Sequence, residues 1–502
     1  MQTLPCAFEN RLSGAVVCYY QDGIYEALIK EGVMLEKMAL LKFQEWIETE
    51  SYADHLGDMH VVRHQSLGRL HRQWLNSRDP QARRAASQKL CEQLGLLNNE
   101  QLGLLNKESD ESVAFRDLAE APLVSAALEG SKWMLEMLLD AAQDQFEVLQ
   151  RDGGRALNCA ATVGHLEFVK SLLEKLKEKG LLDKTLGDTS NHGTTCLILA
   201  AGAGHADVAL HLAKMGGRPL AMQTDDDGRS CVFMAARHGH VEVLKTLLKE
   251  EHEWSAELLQ KTDKFGNSCV YQAAMHGHED VLHFLLNDLC KNDHQCKSHI
   301  CGRPLLKLRS EGQKQSCAYV ASKYGRKKAL EIMLNCQTDE EQKELLHGCL
   351  SDEVSCAHIA AKEGRADTLR FIIEREGKLL TEKTKDGRTC AHFAAQSGST
   401  EMLQFAIERE KKLLTEKTKD GRTCAHFAAR SGSITMLQFV IERERKLLTQ
   451  TTDDGSTCRD FVRREAKDFD SLVRYLEGHG VMSKNPPSSS RQSSNLSNSS
   501  AS

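Results

Sequence analysis

Proline is scarce in this chain: 7 in 502 residues, scattered from Pro5 to Pro487. Long stretches are therefore free to be helical, since proline breaks a helix wherever it enters the interior. Also missing is any run of roughly eighteen uncharged apolar residues, the minimum for a membrane-spanning helix. Net charge is small, −6 at pH 7, so a generic basic face for nucleic acid is not expected. The opening MQTLPCAFENRLSGAVVCYYQDG carries Glu9 and no continuous apolar core behind a basic stretch, which argues against a secretory leader. A G-x-x-x-x-G-K phosphate loop, a G-x-S-x-G elbow, an H-E-x-x-H helix and paired C-x-x-C motifs are absent too, and with them the common signatures of nucleotide, hydrolase and metal chemistry.

What the chain has instead is repetition. Residues 385–410, KDGRTCAHFAAQSGSTEMLQFAIERE, return almost unchanged at 419–444 as KDGRTCAHFAARSGSITMLQFVIERE. Self-similarity at this period signals a solenoid, so overall length says little about domain count. The paired small residues followed by glycine recur from Ala126-Ala127…Gly130 to Ala428-Ala429…Gly432, nine times, with a tenth, divergent unit behind. Each part of the unit has a physical task. A turn such as Asp226-Asp227-Gly228-Arg229 uses glycine for a positive φ. A hydroxyl residue then caps a short helix whose paired alanines permit close packing. Glycine closes that helix in a left-handed cap. A second helix returns with apolar residues at i, i+3 and i+4, as in Val241, Leu244, Leu247 and Leu248, or Met402, Phe405 and Ala406.

At Thr389-Cys390-Ala391-His392-Phe393-Ala394, at Thr423 to Ala428, and at pairs such as Gly164-His165, Gly204-His205 and Gly239-His240, the chain resembles the ankyrin-repeat family, whose short signature is T-P-L-H-x-A. The resemblance implies an all-α solenoid of stacked helix-turn-helix units over residues 117–480, with protein partners bound on a concave face. It departs from the family where proline is expected: eight units carry cysteine after Ser or Thr, at Cys196, Cys231, Cys269, Cys317, Cys356, Cys390, Cys424 and Cys458. A free cysteine behaves as a small buried hydrophobe. Stacked at a packing interval of about 10 Å, these thiols lie too far apart for disulfides, which need Cα atoms within about 7 Å. Reduced thiols fit a cytoplasmic protein. His358, His392 and His426 share a lattice position with Ile198, Phe233, Tyr271 and Tyr319, so they read as framework residues and not as catalytic bases.

Residues 1–116 show no repeat match and read as a small N-terminal helical domain, with helical spacing over 22–50, 58–75 and 80–97, the last opened by Asp79-Pro80. Its last helix is expected to cover the first face of the array. Cys6, Cys18, His55, His60, His64, His71 and Cys91 supply the residue types of a thiol nucleophile and base, but in no recognisable pattern. An insertion at about 287–307 gathers Cys290, His294, Cys296, His299 and Cys301; they could hold zinc or form a cysteine-rich loop at a widened joint. The unit at about 453–480 replaces its alanine pair by Val462-Arg463 and reads as a C-terminal cap. The Ser/Asn-rich tail, 481–502, lacks the apolar content to order itself.

Binding is the function these features support. The resemblance implies a non-enzymatic scaffold or adaptor, without cofactor, acting as a monomer on one or more proteins. The candidate contacts are the variable pairs between Ala-Ala and Gly: Arg237 and His238, Met275 and His276, Lys323 and Tyr324, Lys362 and Glu363. They carry the aromatic, Met and cationic character of interface anchors. Two rival readings stand beside this one: a cysteine-dependent enzyme in residues 1–116 that uses the array to recruit substrate, and a bacterial effector acting in host cytosol.

Overall fold

The computed structural model describes residues 79–93, 122–190, 192–249, 252–289, 302–310, 314–347, 353–463 and 469–484. Among these the fold is helical, with no strand and one isolated bridge, Thr262 to Ser268. The helices are α1 (Pro80–Gln93), α2 (Pro122–Glu129), α3 (Lys132–Ala141), α4 (Gln145–Val163), α5 (Leu166–Glu178), α6 (Leu182–Leu186), α7 (Cys196–Ala203), α8 (Ala206–Ala221), α9 (Cys231–His238), α10 (Val241–Leu247), α11 (Ser255–Gln260), α12 (Cys269–His276) and α13 (Glu279–His283). They continue with α14 (Cys317–Lys323), α15 (Lys327–Asn335), α16 (Asp339–Leu346), α17 (Cys356–Lys362), α18 (Ala366–Arg375), α19 (Cys390–Ser397), α20 (Thr400–Arg409), α21 (Cys424–Ser431), α22 (Ile434–Arg443) and α23 (Phe469–Gly478). Two compact units result. The first takes the described residues up to Ala273 and those of His283–Gly302; the second takes Ala274–Leu282 and the described residues from Arg303.

In the first unit α1 starts at Pro80, and the Asp79 carboxylate accepts the N–H groups of Gln81 and Ala82 at 3.2 Å each. The helix lies on α3, where the Ser87 hydroxyl and the Gln88 amide donate to the carbonyls of Met137 and Ala141. The pairs α2/α3, α4/α5, α7/α8 and α9/α10 follow, the first helices packing on one another. Val243, Leu244, Leu247 and Leu248 of the α10 region are buried, while Val241 is only half-buried. One segment departs from the turn pattern: Asp152-Gly153-Gly154-Arg155 lies inside the 19-residue α4. The Asp152 carboxylate is buried there between Arg151 (2.9 Å) and Arg155 (2.6 Å), and the bare Gly153 lets Leu176 of α5 approach. After α13 the chain takes a π-helical turn, Phe284–Asp288.

The second unit repeats one plan. The pairs α14/α15, α17/α18, α19/α20 and α21/α22 each pack first helix on first helix. The last three are each followed by a short 3-10 turn, Gly377–Leu380, Lys411–Leu414 and Arg445–Thr449. Neighbouring turn tips are tied by one backbone bond: Lys419 N–H to the Asp386 carbonyl at 3.0 Å, and Asp453 N–H to the Asp420 carbonyl at 3.2 Å. Met402, Leu403 and Ala406 of α20 are buried; Phe405 is half-buried beneath the guanidinium of Arg409, 4.8 Å from its ring centre. The final unit opens with a 3-10 turn, Cys458–Phe461, then α23. Val481 is buried, and Met482, Ser483 and Lys484 bond to Thr457 and Asp460. Residues 485–502 lie outside the described residues.

Candidate protein-binding surface

The framework is best seen first, because it shows which side chains are already occupied. From α7 onward the first helices begin with a hydroxyl residue: Thr195, Ser230, Ser268 and Ser316 accept the backbone N–H three residues on, at 3.1 to 3.4 Å. The cysteine after the cap is buried, and its thiol donates to a carbonyl ten to twelve residues back, as from Cys231 to Ala221 (3.8 Å), Cys356 to Leu345 (3.6 Å) and Cys390 to Leu379 (3.4 Å). Burial pushes the Cys196, Cys231, Cys269, Cys424 and Cys458 thiols up to about 12, which removes the thiolate that nucleophilic chemistry requires. These eight cysteines are free and structural.

Histidine does two different jobs. In the second unit Nδ1 of His358, His392 and His426 accepts the cap residue's own N–H at 3.1 Å, closing a capping box. For His358 and His392, Nε2 then reaches the carbonyls of Glu382 and Glu416, each at 3.1 Å, in the following unit. An accepting Nδ1 and a donating Nε2 define one neutral tautomer, and burial lowers all three to about 4. In the first unit the histidines sit at the start of the second helix. His165, His205 and His240 turn Nε2 to the carbonyls of Leu128, Thr162 and Gly202 at 2.9 to 3.0 Å. Glycine at the preceding helix end makes this possible. Gly164 has φ of 91°, and a Cβ there would lie 2.3 Å from the His205 ring.

Against this framework the variable pairs stand at the C-terminal ends of the first helices, where cations meet the negative end of the helix dipole. Arg237 and His238 end α9 in the first unit, both half-buried, the His238 ring 6.2 Å from that of His240. The remaining candidates belong to the second unit. Met275 and His276 end α12, and the Met275 carbonyl accepts Nε of Arg326 at 3.4 Å. Lys323 ends α14 with Tyr324 as its cap; Tyr324 is 37% exposed, and the Lys323 ammonium lies 5.6 Å from its ring centre. The Lys323 carbonyl accepts Nε of Arg365 at 3.2 Å, which brings the ends of α14 and α17 together. Lys362, exposed, and Glu363, half-buried, close α17.

A family model described as ankyrin repeats (3 copies) matches residues 123–221, 218–298 and 357–451. The chain belongs to the ankyrin-repeat family. A comparison with curated proteins found no match. Ankyrin repeats are in general protein–protein interaction modules.

One exposed residue was not singled out from the sequence. Phe265, 54% exposed, sits at a turn tip of the first unit with the Lys264 ammonium 5.2 Å from its ring centre. The signal was available: Lys264-Phe265-Gly266-Asn267 puts an aromatic where sister turns carry aspartate. The candidate zinc ligands Cys290, His294, Cys296, His299 and Cys301 lie outside the described residues, as do Cys6, Cys18, His55, His60, His64 and His71; Cys91 falls on α1. Among the described residues no group of three His, Cys, Asp or Glu side chains is placed to hold a metal ion, and no helix is long and apolar enough to cross a membrane.

Proposed function

We propose that this ankyrin-repeat protein is a non-enzymatic scaffold or adaptor that holds a protein partner through the variable pairs at its first-helix ends. The observation that carries this reading is the exposed Tyr324, with the Lys323 ammonium over its ring and Arg365 bonded to the Lys323 carbonyl, on a framework whose cysteines and signature histidines are spent on internal hydrogen bonds. Buried thiols raised to about 12 and histidines lowered to about 4 are poorly suited to nucleophilic or general-base work near neutral pH. Eight reduced thiols accord with residence in the cytoplasm.

The test is site-specific photo-crosslinking in cell extract. A photoreactive amino acid at position 324 or 362 is expected to yield a discrete adduct, while one at Glu374, exposed on the second helix α18, yields none. Equal labelling from all three positions would reject the first-helix ends as the contact surface.

A further inference from the structure

The helix ends of α14 and α17 differ from their counterparts in charge. Lys323-Tyr324-Gly325-Arg326 and Lys362-Glu363-Gly364-Arg365 supply four cations and one carboxylate. The matching positions two units later read Gln396-Ser397-Gly398-Ser399 and Arg430-Ser431-Gly432-Ser433. The charge is therefore not something the repeat needs for its own folding. Serine holds the place of Arg326 and Arg365 at Ser399 and Ser433, where it caps its own helix by accepting the N–H of Met402 and Met436.

Nor do the described residues neutralise this charge. Some exposed cations of this unit do find carboxylates: Lys328 with Glu279 (3.4 Å), Arg370 with Glu401 (2.6 Å) and Lys383 with Glu416 (2.6 Å). Lys323, Arg326, Lys362 and Arg365 make no ion pair among the described residues. Arg326 and Arg365 do bond the carbonyls of Met275 and Lys323, but through Nε. Their planar guanidinium ends are held in place while the terminal nitrogens remain for an outside acceptor. Such pre-orientation favours bidentate capture of carboxylates. Tyr324 adds an exposed ring at the centre of the strip, the residue type enriched at interface hot spots.

We propose that the joined ends of α14 and α17 form a cationic seat for an acidic segment of the partner protein, with Tyr324 as the apolar anchor. The inference rests on the protein-binding reading above and narrows its partner by chemistry. It applies although the whole chain is net negative, because steering depends on the local field and not on the total.

The experiment measures fluorescence anisotropy with the full chain and a labelled glutamate-rich peptide, beside a glutamine-rich peptide of equal length and a poly-uridylate RNA. The glutamate peptide is expected to bind, and to weaken about tenfold when salt is raised from about 0.05 to about 0.3 M, as screening of several exposed ion pairs requires. The exposed-site variant Lys362→Glu should weaken it further, and Lys323→Glu with Lys362→Glu should abolish it. Tyr324→Ala should cut affinity several-fold at either salt. An unchanged urea midpoint for each variant separates lost binding from lost folding. Equal binding of the glutamine peptide, tighter binding of the RNA, or no binding of the glutamate peptide overturns the acidic-partner assignment. Adducts at position 324 together with any of those results would leave the protein-binding reading standing and remove only its acidic partner.

Discussion

The first and second units solve the same problem with different atoms. Each must fasten one helical pair to the next across a stack in which backbone groups would otherwise be buried without partners. In the first unit the link runs backward from the second helix: His165, His205 and His240 reach the preceding unit's carbonyls, and the first-helix lattice position is left to Ile198, Phe233 and Tyr271. In the second unit Arg326 and Arg365 still reach backward from the second helix, and a forward link from the first helix appears at His358 and His392, after which the second helices open with Ser399 and Ser433. The forward histidines are fully buried and bond through both nitrogens; the backward ones are half-buried. Equivalent joints should therefore differ in strength and in their response to acid.

Acid should separate them most. His358, His392 and His426 sit near 4 when folded, against about 6.5 for an unfolded histidine. As pH falls below that value the unfolded chain takes up protons the folded one refuses, so stability held above about 6.5 is lost progressively toward 4. The urea midpoint of the full chain is expected to fall between pH 7 and pH 5, and His392→Gln should shrink that fall. Next in size is His392→Ala. It strands the buried Thr389 N–H and the part-buried Glu416 carbonyl, and should cost about 2–6 kcal/mol, each stranded group contributing about 1–3. Smaller is His205→Ala, which removes one partly exposed bond and should cost about 1 kcal/mol. His205→Arg, copying the arrangement at Arg326, should recover part of it. The mildest change should stabilise. Lys314 and Glu353 hold φ of 52° and 59° at the turn position that carries Gly387 and Gly421 elsewhere, so Glu353→Gly should gain about 0.5–1 kcal/mol by relieving left-handed strain. A lower urea midpoint for that variant would contradict the assignment.

Much of this was legible from spacing. Paired alanines, glycine caps and hydroxyl N-caps each have one physical reason to sit where they do, and Gly164, Gly204, Gly239, Gly398 and Gly432 all hold the left-handed cap at φ of 79° to 91°. The cysteine positions were readable for the same reason: a residue that recurs once per unit serves the unit. Context-dependent features were not readable. Asp152-Gly153-Gly154-Arg155 has turn composition, yet two arginines satisfy its aspartate and the helix runs through. The exchange of histidine for arginine at Arg326 and Arg365 hides its purpose, because the two share only a nitrogen that reaches a carbonyl. The variable pairs were found as positions, but which of them carries unspent charge depends on where carboxylates of neighbouring helices fall, and that is a property of the fold.

Asp460 occupies in the final unit the place held by His426 and His392 before it. Its carboxylate still closes the capping box, accepting the Thr457 N–H at 2.8 Å. But a carboxylate has no proton to send onward to another carbonyl; it accepts instead, from the backbone N–H of Lys484. His358 and His392 each act as a plug facing a carbonyl socket in the next repeat, an arrangement that further copies could extend head to tail. Exchanging one donor for an acceptor gives the row a last member, much as a chain-terminating monomer stops a growing polymer.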